Sequence, residues 1–389
     1  MSLERLRVYA RDPDLVNRGP LPWQNVTLDL LWSGVSSFSL TCAASDRVRE
    51  RIAPGWGVIV TLDDRVLLTG QIEESGPREW SADTGDLAGE GTVSVSGADD
   101  LAVVAGELAY PDPRLTAADQ GEGSDRRSGA AETVVKGFVS ANIGDSRTAA
   151  RRGAARTHEV EVAPDLGRGA QVTHSARFEP LMEVVRACSG GLGARVTQQG
   201  DRLVFDVVEP VDRSASARFS RELGNLRSMR WQRAMPTSTH VVVLAEDEEE
   251  NVLVREYGDT GAAEEWRMTS RSLHSANRVE EADELDAAGA AQLADARRAP
   301  VLEAQLVDTA RCAFGRDYFL GDTVALEPVP GVRFTDPVTE VRISADAGSG
   351  ELEITPAIGG PPGDSADDTE QERLLRRALR RIAALERKA

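Results

Sequence analysis

The sequence predicts a mainly β fold with an α+β insertion: two barrel-like β domains around a small αββ module, followed by a C-terminal helix. Short runs of alternating apolar and polar residues are separated by turn residues along most of the chain. Aromatic residues make up only 5% of the 389 residues, and 35 glycines interrupt the sequence. Many short strands bounded by turn residues are typical of sandwiches and barrels, so one large enzyme core is disfavoured.

A chain of this length is expected to contain several domains. We predict a first barrel-like domain, a loop-rich α+β module, a second barrel-like domain that includes a helix, and a linker with a coiled-coil-like helix. Their respective boundaries are residues 1–105, 106–230, 231–360 (helix at 278–298) and 361–389.

In the first domain, residues 26–31 and 36–41 alternate partly in period two, and the Trp-Ser-Gly segment between them is read as a turn. A second pair of strands is predicted on either side of residues 63–65, whose Asp-Asp-Arg sequence suits a tight hairpin loop. Residues 92–104 add a further strand and turn. Five or six short strands within this span favour a barrel or a sandwich.

A compact αββ unit is predicted in the middle of the chain. Apolar residues recur at helical spacing after Pro180, which the first turn of a helix tolerates, and Gly190 and Gly191 end the helix. Two β-prone runs follow at residues 192–197 and 203–208, joined by a short polar loop. We therefore expect a helix packed on a hairpin.

The remainder of the α+β module is predicted to be loop-rich. Residues 106–131 are rich in Gly, Ser and charged side chains and are expected to form an exposed loop. A helix is predicted at residues 133–143, where apolar positions recur at helical spacing. The arginines of residues 145–162 favour a solvated surface or an acidic neighbouring subunit over contact with phosphate.

The second barrel-like domain begins with a predicted strand at residues 241–244. The five acids at 246–250 lack the alternating ligands and glycine of a calcium loop, so they are read as a solvated hairpin tip. Asn277 can cap the helix at 278–298, which has acids near its start and arginines at its end. Four or five further strands are expected between residues 301 and 358.

The C-terminal helix carries apolar residues at spacings of 4, 3 and 3, which resembles a short heptad seam. These residues are Leu375, Leu379, Ile382 and Leu385. Two heptads are too few for a stable isolated coiled coil. The seam is therefore predicted either to bundle three copies on a symmetry axis or to dock on a partner.

The sequence offers no catalytic constellation. Cys42, Cys188 and Cys312 are widely separated, so we expect free and mostly buried thiols. The four histidines, His158, His174, His240 and His274, lack metal-binding spacing. The glycine clusters lack the strand-to-helix context of a phosphate loop. We predict no catalytic residue, no cofactor and no metal.

The net charge of −19 argues against a sequence-independent grip on nucleic acid, which requires clustered basic residues. Simple solubility is the more direct explanation of this charge, although the charge would also permit DNA in transit, since an acidic channel would repel phosphate. The first 31 residues contain no signal segment, and no run of 18 apolar residues follows. Synthesis in a cytoplasm without stable membrane insertion is expected.

Several phrases of the sequence resemble a known family. They are GRGAQVTHSARF at 167–178, GGLG at 190–193, DRS at 212–214, RFSRELGNL at 218–226 and FGRDYFLGDTV at 314–324. In this order they resemble the tail hub proteins of siphophages and prophages of actinobacteria, which are similar to the baseplate hub of contractile phages. The resemblance covers about residues 1 to 360.

This resemblance implies a non-enzymatic structural role in the virion. The expected assembly is a homotrimeric hub at the tail tip, which surrounds the tail channel and contacts the distal tail protein, the tape measure protein and the tip or fibre proteins. Three copies with two similar barrels would match a sixfold tail. Two alternatives stay open: a tail-associated cell-wall hydrolase and a receptor-binding spike-base adhesin.

Overall fold

Alternating apolar residues build most of the chain into β-strands, and the predicted mainly β fold is confirmed. The computed structural model describes residues 3–79, 91–121, 123–144, 146–147, 160–232, 235–246, 252–275, 282–296 and 301–358. The chain divides into two compact units. The first contains residues 1–228 and 304–389, and the second contains residues 229–303.

The strands, in chain order, are β1 (Leu6–Arg11), β2 (Asn17–Pro20), β3 (Trp23–Leu31), β4 (Ser37–Ala43), β5 (Gly57–Leu62), β6 (Arg65–Glu79), β7 (Thr92–Asp99), β8 (Leu108–Ala109), β9 (Asp125–Ala130), β10 (Val160–Val162), β11 (Gln171–Ala176), β12 (Glu179–Pro180), β13 (Gly193–Gln199), β14 (Arg202–Val208), β15 (Arg218–Ser220), β16 (Leu226–Gln232), β17 (His240–Glu246), β18 (Val252–Gly258), β19 (Arg271–Ser275), β20 (Val301–Leu306), β21 (Thr323–Val329), β22 (Val332–Asp346) and β23 (Glu351–Ile358). The α-helices are α1 (Asp46–Glu50), α2 (Ala102–Ala105), α3 (Ala131–Asn142), α4 (Leu181–Ser189), α5 (Thr260–Trp266) and α6 (Ala282–Ala296).

The first unit is organised around an 11-stranded sheet. Its strand order is β15-β21-β22-β3-β4-β7-β6-β5-β1-β2, with β23 also paired to β22. Leu28 in β3, Leu40 in β4 and Val95 in β7 are almost completely buried, and polar or less buried residues alternate with them. Period-two burial of this kind is what an antiparallel strand with one core-facing side requires.

The two predicted barrels are not separate in this sheet. Strand β22 pairs with β3, so the strands assigned to the first domain and those near residue 340 form one hydrogen-bonded layer. The described residues form no closed barrel, and the two-barrel layout is not confirmed. The boundaries at residues 105, 230 and 360 stay predictions.

The hairpin between β5 and β6 matches its prediction. Asp63 and Asp64 both have positive φ, 50° and 63°, which is the geometry of the tight turns that match the twist of paired strands. Aspartate tolerates this left-handed conformation better than most residues because its side chain can hydrogen-bond locally. The turn between β3 and β4 at residues 32–34 is also confirmed.

The predicted αββ unit is confirmed as α4, β13 and β14. Helix α4 begins directly after Pro180 and ends at Gly190 and Gly191, whose φ values are 58° and 96°. Strand β14 lies between β13 and the parallel strand β10. Helices α3 and α4 share a core with β13 and β14, which includes Phe138 and Phe205. The helix predicted at 133–143 is confirmed as α3.

The loop predicted at residues 106–131 is wrong at its end. Residues Asp125–Ala130 form β9, which pairs antiparallel with β11 from Gln171↔Ala130 to Ala176↔Asp125. The side chains of this strand are all exposed or half-buried, so the strand can consist of polar and small residues. The apolar alternation that predicts strands was therefore missing.

The second unit contains a three-stranded sheet, β18-β17-β19, with α6 against one face. The predicted strands before and after the acidic run are confirmed as β17 and β18, which pair from His240↔Gly258 to Glu246↔Val252. Residues 247–251 lie outside the described residues. Helix α6 is described over Ala282–Ala296 of the predicted 278–298, and its predicted cap Asn277 lies outside the described residues.

The predicted seam of Leu375, Leu379, Ile382 and Leu385 also lies outside the described residues. Among the residues that the structure describes, none of the helices has the length and apolar character needed to cross a membrane.

Candidate functional site

The DRS and FGRDYFLGDTV phrases meet in the first unit, although the 99 residues 215–313 separate them. We call this contact the Asp322 junction, formed by Val211, Arg213, Phe319 and Asp322. The buried Asp322 carboxylate accepts hydrogen bonds from the backbone N–H of Val211 at 3.2 Å and of Phe319 at 3.0 Å. It also pairs with the Arg213 guanidinium. That guanidinium lies over the Phe319 ring, 5.1 Å from its centroid.

The backbone makes the same junction continuous with the main sheet. Thr323 donates to Val211 at 3.0 Å, and Arg213 donates to Thr323 at 2.9 Å. On the other side, Gly321 donates to Val338 at 2.8 Å. A buried carboxylate with several donors and a guanidinium partner is a satisfied group. The junction therefore fixes the position of the 319–322 turn.

Trp32 lies between two of the glycines in these phrases. A Cβ atom added to Gly193 would lie 2.2 Å from the Trp32 ring, and one added to Gly321 would lie 2.4 Å from it. Gly321 also has a φ of +88°, which favours glycine. The turn residue Ser33 completes the contact, because it donates to Leu192 and accepts from Ala194, both at 3.1 Å. The β3–β4 turn is thus held against the αββ unit.

The GRGA phrase has a similar structural role. Arg168 makes a bidentate contact with the carboxylate of Glu132, which is completely buried in α3. The Lys136 ammonium donates to the same carboxylate at 2.7 Å. The Arg168 and Lys136 hydrogen bonds hold the pKa of Glu132 well below its usual value. Gly169, with a φ of +86°, allows the segment to pass close to Ala131.

The RFSRELGNL phrase forms a closed turn between β15 and β16. The side chain of Asn225 is completely buried, accepts from the Ser220 backbone N–H at 2.8 Å and donates to the Arg218 carbonyl at 2.9 Å. An asparagine amide can satisfy backbone donors and acceptors that a turn leaves unpaired. This residue therefore replaces two backbone hydrogen bonds.

Tyr318 of the last phrase is buried against Asp308. Its hydroxyl donates to the Asp308 carboxylate at 2.6 Å, and Phe314 donates its backbone N–H to the same group. Burial raises the pKa of Asp308 and raises that of Tyr318 well above its usual value. Both groups are held by each other and by Phe314, so the pair closes the 308–318 loop.

None of the three cysteines, all of which lie in the described residues, is an activated nucleophile. The free thiols of Cys42, Cys188 and Cys312 are buried as predicted, and burial raises their pKa values to about 12, about 11 and about 12. Thiols with such values are almost entirely protonated at neutral pH and are poor nucleophiles.

Metal-ligating side chains are also dispersed. No cluster of three or more His, Cys, Asp or Glu that could hold a metal lies within the described part of the chain. His174 contacts Glu179 at 2.8 Å and the ring of Phe138 edge-on, which is the packed role expected of a structural histidine. His158 lies outside the described residues.

Residues 5–360 match the model of a protein family described as Siphovirus ReqiPepy6 Gp37-like protein. The chain belongs to this family. No curated protein matches this Gp37-like sequence. Each phrase described above lies within the matched residues.

Solved structures share the fold of this Gp37-like chain at low sequence identity. A tail protein from Neisseria meningitidis MC58 is 16% identical with a TM-score of 0.55, over 91% of this chain and 96% of that one. The 43 kDa tail protein of prophage MuSo2 from Shewanella oneidensis is 12% identical with a TM-score of 0.55, over 91% and 98%. Prophage tail protein gp18 from Listeria monocytogenes EGD-e is 10% identical with a TM-score of 0.50, over 96% and 99%.

Sequence reasoning assigned no individual role to Trp32, Arg213, Glu132 or Asp322. Arg213 and Asp322 lie within the DRS and FGRDYFLGDTV phrases, whereas Trp32 and Glu132 lie outside all of the phrases. One signal was present for Asp322: it directly follows a glycine in a turn sequence, where a carboxylate often accepts backbone hydrogen bonds.

Proposed function

We propose that this protein is a structural component of a phage tail tip. It acts as a trimeric baseplate or tail hub that surrounds the tail channel and connects the distal tail ring to tip or fibre proteins. The role is non-enzymatic, and the chain is a virion protein that is made in the host cytoplasm.

The observation that carries the proposal is the extent of the structural similarity. Three tail proteins share the fold over 91% to 96% of this chain and 96% to 99% of their own length. A similarity that extends over whole chains on both sides leaves little of this fold without a counterpart in a tail protein. The family match over residues 5–360 points to the same class of virion protein.

The chemistry of the phrases supports a scaffold. Asp322, Glu132 and Asn225 direct their polar groups to neighbouring backbone and side chains within the first unit. An enzyme site instead presents polar groups to a substrate in a cleft. A structural subunit must hold its neighbours at fixed positions in the particle, and turns whose polar groups are hydrogen-bonded internally make it rigid.

In this proposal the partners are two further copies of the chain, the distal tail protein, the tape measure protein and the tip or fibre proteins. DNA passes through the channel without a lasting contact, in keeping with the net charge of −19. The seam of Leu375, Leu379, Ile382 and Leu385 either trimerises on the axis or docks one of these partners.

The proposal is tested by light scattering on the purified full-length protein and on a chain truncated after Gly363. Each protein is expected to have three times the mass of its own chain, which is 41.8 kDa for the full-length protein, because the symmetric interface is expected outside the last 26 residues. A trimer that dissociates on truncation would assign assembly to the Leu375 to Leu385 seam.

A monomer in both proteins at high concentration would contradict trimer formation by this chain alone. Two further assays separate the competing functions in that case. Zymography on cell-wall material detects a hydrolase, and binding of the purified protein to host cells detects an adhesin.

A further inference from the structure

A cavity of about 470 Å³ lies within the first unit. It is enclosed by the β3–β4 turn, β6, the β13–β14 hairpin and the 314–322 loop. Most of its wall is apolar, and the side chains that form it include Leu68, Leu101, Val196, Val208, Phe314 and Phe319. Val66 and Val211, which also line it, are 60% and 48% exposed. The cavity therefore communicates with solvent past apolar side chains.

Asp99 at the end of β7 forms part of this wall. Its carboxylate accepts from the backbone N–H of Leu101 at 3.1 Å and from both the side chain and the backbone N–H of Ser36. Burial raises the pKa of this carboxyl to about 6. Within the described part of the chain, no Lys or Arg forms an ion pair with it, in contrast to its neighbour Asp100, which pairs with Arg11.

The other charged groups that line the cavity are already engaged or lie at its rim. Arg213 is paired with Asp322 in the Asp322 junction. The Arg195 side chain is 54% exposed and lies 3.8 Å from Asp206. Glu209 is exposed. Within the described part of the chain, Asp99 is thus a carboxylate of the cavity wall that has neutral hydrogen-bond donors but no cationic partner.

This combination fits one kind of side chain. Asp99 is half-buried, and a carboxylate partly removed from water without a cationic partner is less well solvated than an exposed one. An incoming cation would compensate that charge, and an aliphatic stem of about four carbons would pack on the apolar wall, as lysine and arginine side chains do elsewhere. A purely apolar group would leave the carboxylate without a cationic partner.

We propose that this cavity is a socket for a lysine or arginine side chain of a partner protein, whose cationic head binds Asp99 while its stem packs against Leu68, Leu101 and Val196. The inference deepens the proposed function, because it assigns a contact point to a structural protein of the tail. Binding of the side chain itself requires no assembly, so a small-molecule probe tests the socket independently of the trimer.

The probe is the n-butylammonium ion, which reproduces the lysine side chain. Its dissociation constant for the full-length protein is measured by titration of NMR or fluorescence signals at about pH 8, with n-butanol as the uncharged analogue. We expect n-butylammonium to bind at least about tenfold more tightly than n-butanol. At about pH 5 the difference shrinks, because Asp99 is then largely protonated.

Two variants complete the test. Asp99→Asn keeps the shape of the side chain and removes its charge, so n-butylammonium should bind about as weakly as n-butanol. Asp64→Asn removes an exposed carboxylate outside the cavity, at a position where asparagine also tolerates the positive φ, and should leave both constants unchanged. Unchanged binding to Asp99→Asn, or equal binding of both probes to the wild type, would overturn the proposal while leaving the trimer measurement unaffected.

Discussion

The two units of this chain use their side chains in opposite ways. In the first unit, buried ion pairs and hydrogen bonds join turns that are far apart in sequence, as Asp322 does with Arg213. The second unit leaves apolar residues exposed on one face of its sheet: Val252, Val254 and Leu273 are 63%, 58% and 66% exposed. Buried polar contacts hold the turns of the first unit in place. The second unit has one sheet face whose apolar side chains make few contacts within the unit.

The register of the second sheet explains this exposure. Leu244 pairs with Val254, and Val242 pairs with Leu273, so these four side chains point to the same face. The opposite face carries Val241 and Val243, which pack with Leu285 of α6. A single helix covers one face of a sheet only. The difference teaches that the stability of the two units should respond very differently to the same kind of substitution.

The largest expected effect is at the Asp322 junction. Asp322→Ala removes the partner of Arg213 and of two backbone N–H groups, so the free energy of unfolding should fall by about 3–5 kcal/mol. The matched control is Asp286→Ala in the second unit, where Asp286 pairs with Arg255 and both side chains are about half exposed. That variant should lose much less stability, because solvent screens an exposed ion pair. The stability of Asp322→Ala is measured by urea unfolding followed by circular dichroism. The stability of Asp286→Ala is measured by hydrogen exchange of β17.

A second effect concerns the glycine beneath Trp32. Gly321→Ala should cost roughly 2–4 kcal/mol, because the new Cβ meets the ring at 2.4 Å and φ is +88°. Gly331→Ala has nearly the same φ, +83°, but no atom within 4 Å, so it isolates the backbone cost of about 1 kcal/mol. Urea unfolding measures both variants. If the free energy of unfolding falls by the same amount in each, the clash with Trp32 contributes nothing.

A third effect depends on pH. The pKa of Asp99 is about 6 in the folded chain and 3.8 in its ordinary state, so the folded chain binds more protons between these values. The stabilising contribution is full below about pH 4 and is lost as the pH rises through about 6, on the order of 2 kcal/mol. Asp99→Asn should flatten this part of the stability curve. Parallel curves for wild type and variant would contradict the raised pKa.

The smallest expected effect is on the exposed face of the second sheet. Leu273→Ala should change the stability of the second unit by less than about 0.5 kcal/mol, because its side chain already contacts solvent. Val243→Ala on the opposite face should cost about 2 kcal/mol, because that side chain is completely buried. Hydrogen exchange of β17 compares the two variants, and a larger loss at Leu273 would show that its face is covered.

The parts of the fold that the sequence predicted are local. The αββ unit, α3 and the β5–β6 hairpin depend on residues within one element or one turn, such as Pro180, Gly190 and Asp63, and period and turn chemistry indicate them directly. The pairing of β22 with β3 joins residues more than 300 positions apart. Alternation specifies which face of a strand is buried but not which strand lies beside it, so the shared sheet was missed.

The candidate site was harder to predict for a different reason. With 64 carboxylates in the sequence, nothing local distinguishes Asp322 or Asp99 from an exposed aspartate. Their roles depend on Arg213 and on apolar neighbours that the fold brings from distant segments. The role of Gly193 also depends on a distant segment, because its small size matters only once Trp32 lies against it.

The central claim, a structural role at the tail tip, is tested most directly by electron microscopy of particles labelled with gold-conjugated antibody against this chain. We predict label at the distal end of the tail, on the great majority of labelled particles. Label distributed along the tail tube or on the capsid, or none on particles whose preparation contains the chain, would contradict the account.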